Sequence, residues 1–185
     1  MKNYAAFLRG INLGEKNKVA MKDIKQIFES LDLSNVKTIA NSGNVIFSAE
    51  TDNLDELRFT IHTELSKNYD FDIPVFLIEQ TELTDIMQNH PDWWGSGDKA
   101  LYDNIIFVMN ETSFEEIYAA CGEPKEGAEK VQPYRNAIFW TYLLKDYQKH
   151  AWWKTTATAD FKNFITIRTR GTVEKVLKGM ENIKG

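Results

Sequence analysis

Cysteine and histidine are scarce in this sequence, and their scarcity excludes whole classes of site. The 185 residues contain one cysteine, Cys121, so the chain forms no internal disulfide, and such usage is typical of a reducing compartment. The three histidines are far apart and show none of the Cys/His spacings of zinc sites, so we expect neither a metal nor another cofactor. The G-x-S-x-G motif of a nucleophile elbow is also missing, and the sequence assigns no reaction.

Long apolar runs and an excess of positive charge are missing as well. No run reaches the roughly 18 apolar residues that a membrane-spanning helix requires. The start of the chain lacks the apolar stretch of a signal peptide, so we expect a cytoplasmic protein without membrane contact. The formal net charge of −5 argues against nucleic acid as the main partner, although a local basic patch would still allow it.

The composition is that of an ordinary globular protein. Apolar residues make up 43% and charged residues 26% of the chain, and no low-complexity tract interrupts it. A chain of this length buries roughly 70% of its unfolded surface, which is enough for one large domain or two small ones.

The first half of the chain predicts a strand–helix–strand–strand–helix–strand order. Short apolar runs predict strands, and apolar residues at three- and four-residue spacing predict helices. The strands are predicted over residues 3–9, 36–40, 45–47 and 74–78, and the helices over about 21–31 and 54–65. The cluster Asn41-Ser42-Gly43-Asn44 predicts a hairpin turn between the second and third strands. This order is the split βαβ arrangement of ferredoxin-like domains.

The second half repeats this order with weaker signals. Ser113 and Glu116 form the capping-box pattern of a helix start. The glycine- and charge-rich segment 122–130 is predicted to be a connection that ends near Val131. The strands are predicted over residues 105–108, 137–140 and 164–167, and the helices over about 81–89, 114–121 and 145–153, with a C-terminal helix around 173–180.

These patterns together predict an α+β fold of two ferredoxin-like units, each an antiparallel sheet with helices on one face. The first unit is predicted to cover residues 1–80, and the second to cover residues 102–185 with the C-terminal helix. A linking helix and a Trp/Gly loop are predicted over residues 81–101.

Some strands are apolar on both faces. Val75 and Leu77 point to one side of the fourth predicted strand, and Phe76 and Ile78 point to the other. Because helices cover only one face of a split βαβ sheet, something else must cover the second. The other half of the chain, a partner subunit and a ligand are the three candidates, and the oligomeric state stays open.

The connection between the first strand and the first helix is the candidate ligand site. Arg9, Lys16 and Lys18 supply positive charge, and Gly10 and Gly14 allow the backbone to approach a ligand. The helix that follows has no Ser, Thr or Asp at its start, so its first N–H groups lack a local side-chain partner. These features predict a site for a small anionic ligand. The alternative is a solvated connection whose glycines and asparagines only serve turns.

The predicted hairpin turn lies beside that connection, because the first and third strands are neighbours in a split βαβ sheet. Its amides and hydroxyl would add hydrogen bonds to the ligand, unless they only stabilise the turn. Arg168 and Arg170 are two residues apart, so on a strand they would share a face and add charge. The candidate ligand-binding residues are Arg9, Asn12, Lys16, Lys18, Asn41, Ser42, Asn44 and Arg168.

Two tryptophan pairs leave other functions open. Trp93-Trp94 lies in a Gly-Ser-Gly loop, and Trp152-Trp153 lies on or near a helix. Each pair would serve as a lid, a stacking platform or a partner contact, or would anchor its segment to the core. The alternative functions are therefore a nucleic-acid-binding module that uses a local basic patch, and a protein-interaction or structural module with no chemistry.

Two motifs in the first half of the chain resemble the signature of a bacterial family called domain of unknown function 1697. They are LRGINLG at residues 8–14 with KNKV at 16–19, and NSGNVIF at residues 41–47. The resemblance is weaker before the last helix, where the family has Asn-Trp-Asn and this chain has Thr169-Arg170-Gly171. It implies a duplicated ferredoxin-like architecture and implies no activity.

Overall fold

The structure, a computed structural model, describes residues 1–51, 53–109, 112–158, 161 and 164–183. Within these ranges the first half forms β1 (Lys2–Leu8), α1 (Met21–Glu29), β2 (Ser34–Ile39), β3 (Asn44–Ala49), α2 (Leu54–Asn68), β4 (Val75–Glu79) and α3 (Gln80–Gln88). The second half forms β5 (Leu101–Val108), α4 (Phe114–Cys121), β6 (Glu129–Tyr134), β7 (Ala137–Leu143), α5 (Ala151–Thr156), β8 (Ile165–Thr169) and α6 (Arg170–Glu181).

The eight strands form two four-stranded antiparallel sheets with the same topology. Their orders are β2-β3-β1-β4 and β6-β7-β5-β8, so the first strand of each half is central and pairs with the third and fourth. The α+β prediction of two ferredoxin-like units is confirmed. No helix in the described ranges is long and apolar enough to cross a membrane.

The chain divides into two compact units. Unit 1 is Met1–Thr84 together with the C-terminal segment from Thr172, and unit 2 is Asp85–Gly171. Most of α6 therefore belongs to the first unit. Gly179 permits this packing, because a Cβ there would lie 2.9 Å from Ile46 Cδ1 on β3. The Asn3 side chain on β1 also donates to the Met180 carbonyl, at 3.3 Å.

Unit 1 buries both faces of its sheet. Alternate residues of β1 and β3, such as Leu8 and Phe47, pack with the apolar stripes of α1 and α2. On the opposite face Phe7 and Phe76 are buried and stack with ring centroids 6.2 Å apart. The apolar pattern on both sides of these strands thus predicted their burial correctly.

Unit 2 also buries both faces, and its tryptophans explain much of that burial. Trp94 is 2% exposed, packs edge-on against Phe139 at 5.2 Å and donates its indole N–H to the Asn104 carbonyl. Trp152 is fully buried and donates to the Gly122 carbonyl. Trp94 and Trp152 therefore anchor their segments to the core, while the second member of each pair is half-buried.

Three local predictions were wrong. The connection predicted over 122–130 ends in β6, an edge strand, where Pro133 is tolerated because its missing N–H weakens no central ladder. The single helix predicted over 145–153 is a 3-10 turn (Tyr147–Lys149) followed by α5, because His150 between them has extended backbone. Finally, β8 ends at Thr169, so Arg170 starts α6 instead of sharing a strand face with Arg168.

Candidate functional site

The candidate loop, residues 9–20, leaves the sheet through two backbone hydrogen bonds. The Leu8 N–H donates to the Gly43 carbonyl at 2.7 Å, on the β3 side of β1. The Arg9 N–H donates to the Pro74 carbonyl at 3.0 Å, on the β4 side. Arg9 is therefore fixed at the end of the central strand of unit 1.

The loop is closed by hydrogen bonds between its own residues. The Asn12 N–H donates to the Asn17 carbonyl at 2.9 Å, and the Asn17 side chain donates to the Gly10 carbonyl at 2.8 Å. Four of its residues, Gly10, Asn12, Gly14 and Asn17, have φ between +50° and +78°, which glycine and asparagine tolerate best. The glycines and asparagines of this segment thus specify an ordered loop.

The Asn12 side chain ties the loop to two neighbouring segments. Its Oδ1 accepts from the Val19 N–H at 2.8 Å, just before α1. Its Nδ2 donates to the Val19 carbonyl and to the Asn41 carbonyl, both at 3.0 Å. The loop and the hairpin turn therefore lie together, as the topology predicted. Because both amide hydrogens of Asn12 are taken by carbonyls, its position favours holding the loop over contacting a ligand.

Gly43 makes the close approach of loop and turn feasible. Its φ is +74°, and a Cβ there would lie 2.8 Å from Ile11 Cδ1 and 2.9 Å from the Leu8 carbonyl oxygen. The next residue, Asn44, is fully buried and donates to the Ile39 carbonyl and to Ser42 Oγ. Ser42 and Asn44 therefore stabilise the turn, and Asn41 offers its carbonyl to Asn12.

Positive charge is concentrated in the same loop. Burial lowers the pKa of Arg9 to about 10, so its guanidinium remains charged at neutral pH but has lost part of its hydration. Lys16 and Lys18 are exposed, and Lys18 Nζ lies 3.9 Å from Glu15 Oε1. The contact between Gly10 and Asn17 brings the backbone that carries both lysines close to the residue after Arg9.

The helix that follows the loop starts without a side-chain cap. Its N-cap residue, Ala20, has extended backbone and offers no hydrogen-bond acceptor in its side chain. Asp23 lies in the first turn and partly balances the helix dipole. The positive end of α1 therefore begins where the cationic loop ends.

Arg168 belongs to unit 2, whereas the other predicted ligand-binding residues belong to unit 1. Its side chain is 9% exposed and donates to Thr166 Oγ1 at 3.1 Å and to the Ile167 carbonyl at 2.9 Å. The guanidinium carbon of Arg170 lies 5.6 Å from the centre of the Trp94 ring, inside unit 2. A ligand role for Arg168 stays a prediction.

Two residues that shape the loop were not among the predicted site residues. They are Asn17, which closes the loop onto Gly10, and Gly43, which admits Ile11 beneath the turn. Both stand inside the two sequence motifs, and an asparagine or glycine in such a stretch signals positive φ. The sequence therefore indicated positive φ at both residues, but it did not identify the residue that each of them contacts.

Comparison with known proteins identifies a family and a fold. The family described as "Protein of unknown function (DUF1697)" matches residues 1–139, which include the whole candidate site of unit 1. The structure is similar to that of a conserved bacterial protein, SP0830, from Streptococcus pneumoniae, with a TM-score of 0.82 and 27% sequence identity. The similarity covers 97% of this chain and 98% of that one. No curated protein matches this sequence.

Proposed function

The chain belongs to the DUF1697 family of proteins of unknown function, and we propose that it binds a small anionic ligand at the candidate loop of unit 1. The observation that carries this proposal is the partly buried guanidinium of Arg9, fixed at the end of β1. Because burial has removed part of its hydration, this guanidinium would attract an anion more strongly than a fully exposed arginine would. Arg9, Lys16 and Lys18 are the residues that we assign to ligand contact.

The order of the loop supports binding as well. Its closing hydrogen bonds, made by Asn12 and Asn17, join residues of the chain itself. A preorganised loop loses less conformational entropy on binding than a loop that must fold around its ligand. In this proposal Asn12, Asn41, Ser42 and Asn44 position the loop and the turn, and the uncapped start of α1 adds a favourable dipole.

The chemistry of the cations defines the ligand class. A guanidinium presents parallel N–H donors that match a carboxylate or a phosphate, and lysine ammonium groups add charge without strict geometry. Sugar phosphates, nucleotides and small carboxylates are therefore the first ligands to test. The proposal concerns binding, and we assign no catalytic residue.

A thermal-shift screen at low ionic strength tests the proposal. An anion at 100 times its dissociation constant adds about 2.7 kcal/mol to the free energy of unfolding. For a chain of this length that raises Tm by roughly 5–10 °C. Arg9→Gln should abolish the shift, whereas Arg135→Gln, an exposed arginine of unit 2, should keep it. No shift with any phosphate or carboxylate, or equal loss in both variants, would reject the proposal.

A protein-interaction role is the second candidate. The observation that favours it is exposed apolar surface in unit 1: Leu13 in the candidate loop is 67% exposed, and Phe59 on α2 is 71% exposed. Self-association is its simplest form. Light scattering that reports a dimer for the wild type and a monomer for Leu13→Ser or Phe59→Ser would support this role, and a monomer throughout would remove self-association.

Nucleic-acid binding is a weaker candidate, because the tryptophans that would stack on bases are engaged. Trp94 and Trp152 are buried, and Trp93 is half-buried with Lys130 Nζ 5.9 Å from its ring. A short single-stranded RNA in the same screen tests it, since phosphate contacts make binding strongly salt-dependent. We also propose a cytoplasmic location, which the single buried cysteine supports and cell fractionation would check.

A further inference from the structure

The helix-covered core of unit 2 contains a carboxylate and an imidazole side chain. Glu129 on β6 and His150, just before α5, have side chains that are 0% and 1% exposed. Glu129 Oε1 and His150 Nδ1 are 3.8 Å apart, which is too long for a hydrogen bond. Glu129 Oε2 accepts from the Lys125 N–H, but Oε1 and the histidine Nδ1 have no hydrogen-bond partner among the described residues.

A third buried polar atom lies on the same face and likewise has no hydrogen-bond partner within the described part of the chain. It is Trp140 Nε1, on β7. Tyr142, two residues further along β7, is directly opposite Glu129, so Trp140 is a diagonal neighbour of Glu129. The Tyr142 ring lies 4.7 Å from the Trp140 ring and 6.5 Å from the His150 ring, between centroids.

The other two buried tryptophans show that Trp140 is an exception. Trp94 Nε1 donates to the Asn104 carbonyl at 3.0 Å, and Trp152 Nε1 donates to the Gly122 carbonyl at 2.9 Å. A buried polar group without a partner costs free energy, and such groups normally bond to protein or to an enclosed water. Three such groups on residues that all neighbour Tyr142 point to a shared partner.

We propose that this partner is one enclosed water molecule, bonded to Glu129, Trp140 and His150. The water would donate its two hydrogens to Glu129 Oε1 and His150 Nδ1 and accept the Trp140 indole N–H. Buried waters typically make about three hydrogen bonds to groups of this kind. A cation suits the site less well, because the indole N–H is a donor and would point its positive end at the ion.

The water would fasten α5 to the sheet. His150 occupies the N-cap position of α5, yet its side chain makes no capping bond and lies in the core instead. Through the water it is joined to β6 at Glu129 and to β7 at Trp140. This role would account for an imidazole and a carboxylate beside the apolar and aromatic cluster of unit 2.

Nuclear magnetic resonance of the wild-type protein tests the site directly. The Trp140 indole proton should show a cross-peak to a long-lived water, with the sign expected for a water that tumbles with the protein. The indole protons of Trp94 and Trp152 are internal controls and should show none, because carbonyls already accept them. Glu129→Met, similar in size but apolar, should remove the Trp140 cross-peak; its survival there would implicate the Tyr142 hydroxyl and overturn the proposal.

A crystal structure of the wild type gives a second readout that does not depend on a variant folding. Density for a water within roughly 2.7–3.2 Å of Glu129 Oε1, His150 Nδ1 and Trp140 Nε1 would support the proposal. A direct bond between Glu129 and His150, or an empty space, would overturn it.

Discussion

The two units use the same backbone scheme at the end of their central strands but place different chemistry on it. In unit 1 the Leu8 N–H donates to the Gly43 carbonyl, and in unit 2 the Val108 N–H donates to the Asn136 carbonyl, at 2.7 and 2.8 Å. The backbone N–H of the next residue, Arg9 or Met109, donates to the carbonyl of the residue just before the fourth strand, Pro74 or Phe164. The scaffold is repeated, yet one copy carries a guanidinium where the other has a thioether that is 4% exposed.

The helices that follow these central strands also differ between the units, because they start differently. In unit 1 the long loop over residues 9–20 ends at an uncapped helix. In unit 2 the helix that follows β5 begins at a complete capping box between Ser113 and Glu116. One helix start is satisfied by its own sequence and the other is not. This difference supports the proposal that the anion site lies in unit 1.

Gly43 offers the largest expected effect, because the loop of unit 1 depends on a close approach that unit 2 lacks. Gly43→Ala should lower the free energy of unfolding by about 3 kcal/mol, from positive-φ strain and from contact with Ile11 and Leu8. Gly127→Ala, also at positive φ but with nothing within 4 Å of the new Cβ, should cost about 1 kcal/mol. Urea unfolding measures both, and equal losses would contradict this account of the turn.

Asn12 should come next, since it holds the loop of unit 1 against its neighbours. Asn12→Ala removes three hydrogen bonds and should cost about 2 kcal/mol. It should also weaken anion binding, because the loop that carries Lys16 and Lys18 would be held less firmly. Asn182→Ala, which removes a single exposed bond to the Lys178 carbonyl, is the control and should change stability by less than about 0.5 kcal/mol. If Asn12→Ala lowers the free energy of unfolding no more than the control does, the hydrogen bonds of Asn12 do not stabilise the loop.

The core of unit 2 contains the buried thiol of Cys121, which should make the stability of the protein depend on pH. Burial, and then the charge of Glu129, raise the pKa of Cys121 to about 11. An unfolded thiol titrates near 8.5, so above that pH the unfolded chain loses its proton first and rising pH favours unfolding. The stabilisation is complete below about pH 8.5 and is lost as pH rises towards 11.

The corresponding measurement compares the wild type with Cys121→Ala at pH 7 and pH 10. The wild type should lose about 1 kcal/mol more stability than the variant over this range, since other titrating groups cancel in the comparison. Parallel losses in the two proteins would show that the thiol does not carry the effect.

The N-caps of α4 and α1 offer the smallest expected changes in stability, one in each unit. Ser113→Ala should destabilise the protein by about 1 kcal/mol, because it opens the capping box of α4. Ala20→Ser should stabilise it by about 0.5 kcal/mol, because the extended backbone of Ala20 suits a capping hydroxyl. Calorimetry would resolve both changes, and a destabilising Ala20→Ser would mean that the α1 terminus already has a partner.

The fold was predictable because its signals are local. The apolar run Tyr4–Leu8, the turn residues 41–44 and the capping box at Ser113 each specify an element without distant contacts. The β6 strand was missed because an edge strand with a proline has a weak pattern. The attachment of α6 to unit 1 was also beyond local reasoning, since it depends on Gly179 fitting against Ile46 across the whole chain length.

The candidate site was predictable only in part, for the same reason. Sequence patterns identified the cationic loop and its proximity to the hairpin turn, which the bond from Asn12 to the Asn41 carbonyl realises. They did not distinguish side chains that hold the loop from those left for a ligand, because hydrogen-bond partners depend on three-dimensional contacts. The buried pair of Glu129 and His150 went unnoticed because residues distant in sequence meet only in the folded core.

The most direct test of the central claim is a titration of ¹⁵N-labelled protein with the anion that gives the largest thermal shift. The account predicts that amide signals of residues 9–21 and 41–44 move with one common affinity, while those of residues 112–113 and 135–136 stay in place. Arg9→Gln should abolish the movement, and Arg135→Gln should leave it unchanged. Movement centred in unit 2, or movement that persists in Arg9→Gln, would contradict the claim that the anion site lies in the loop of unit 1.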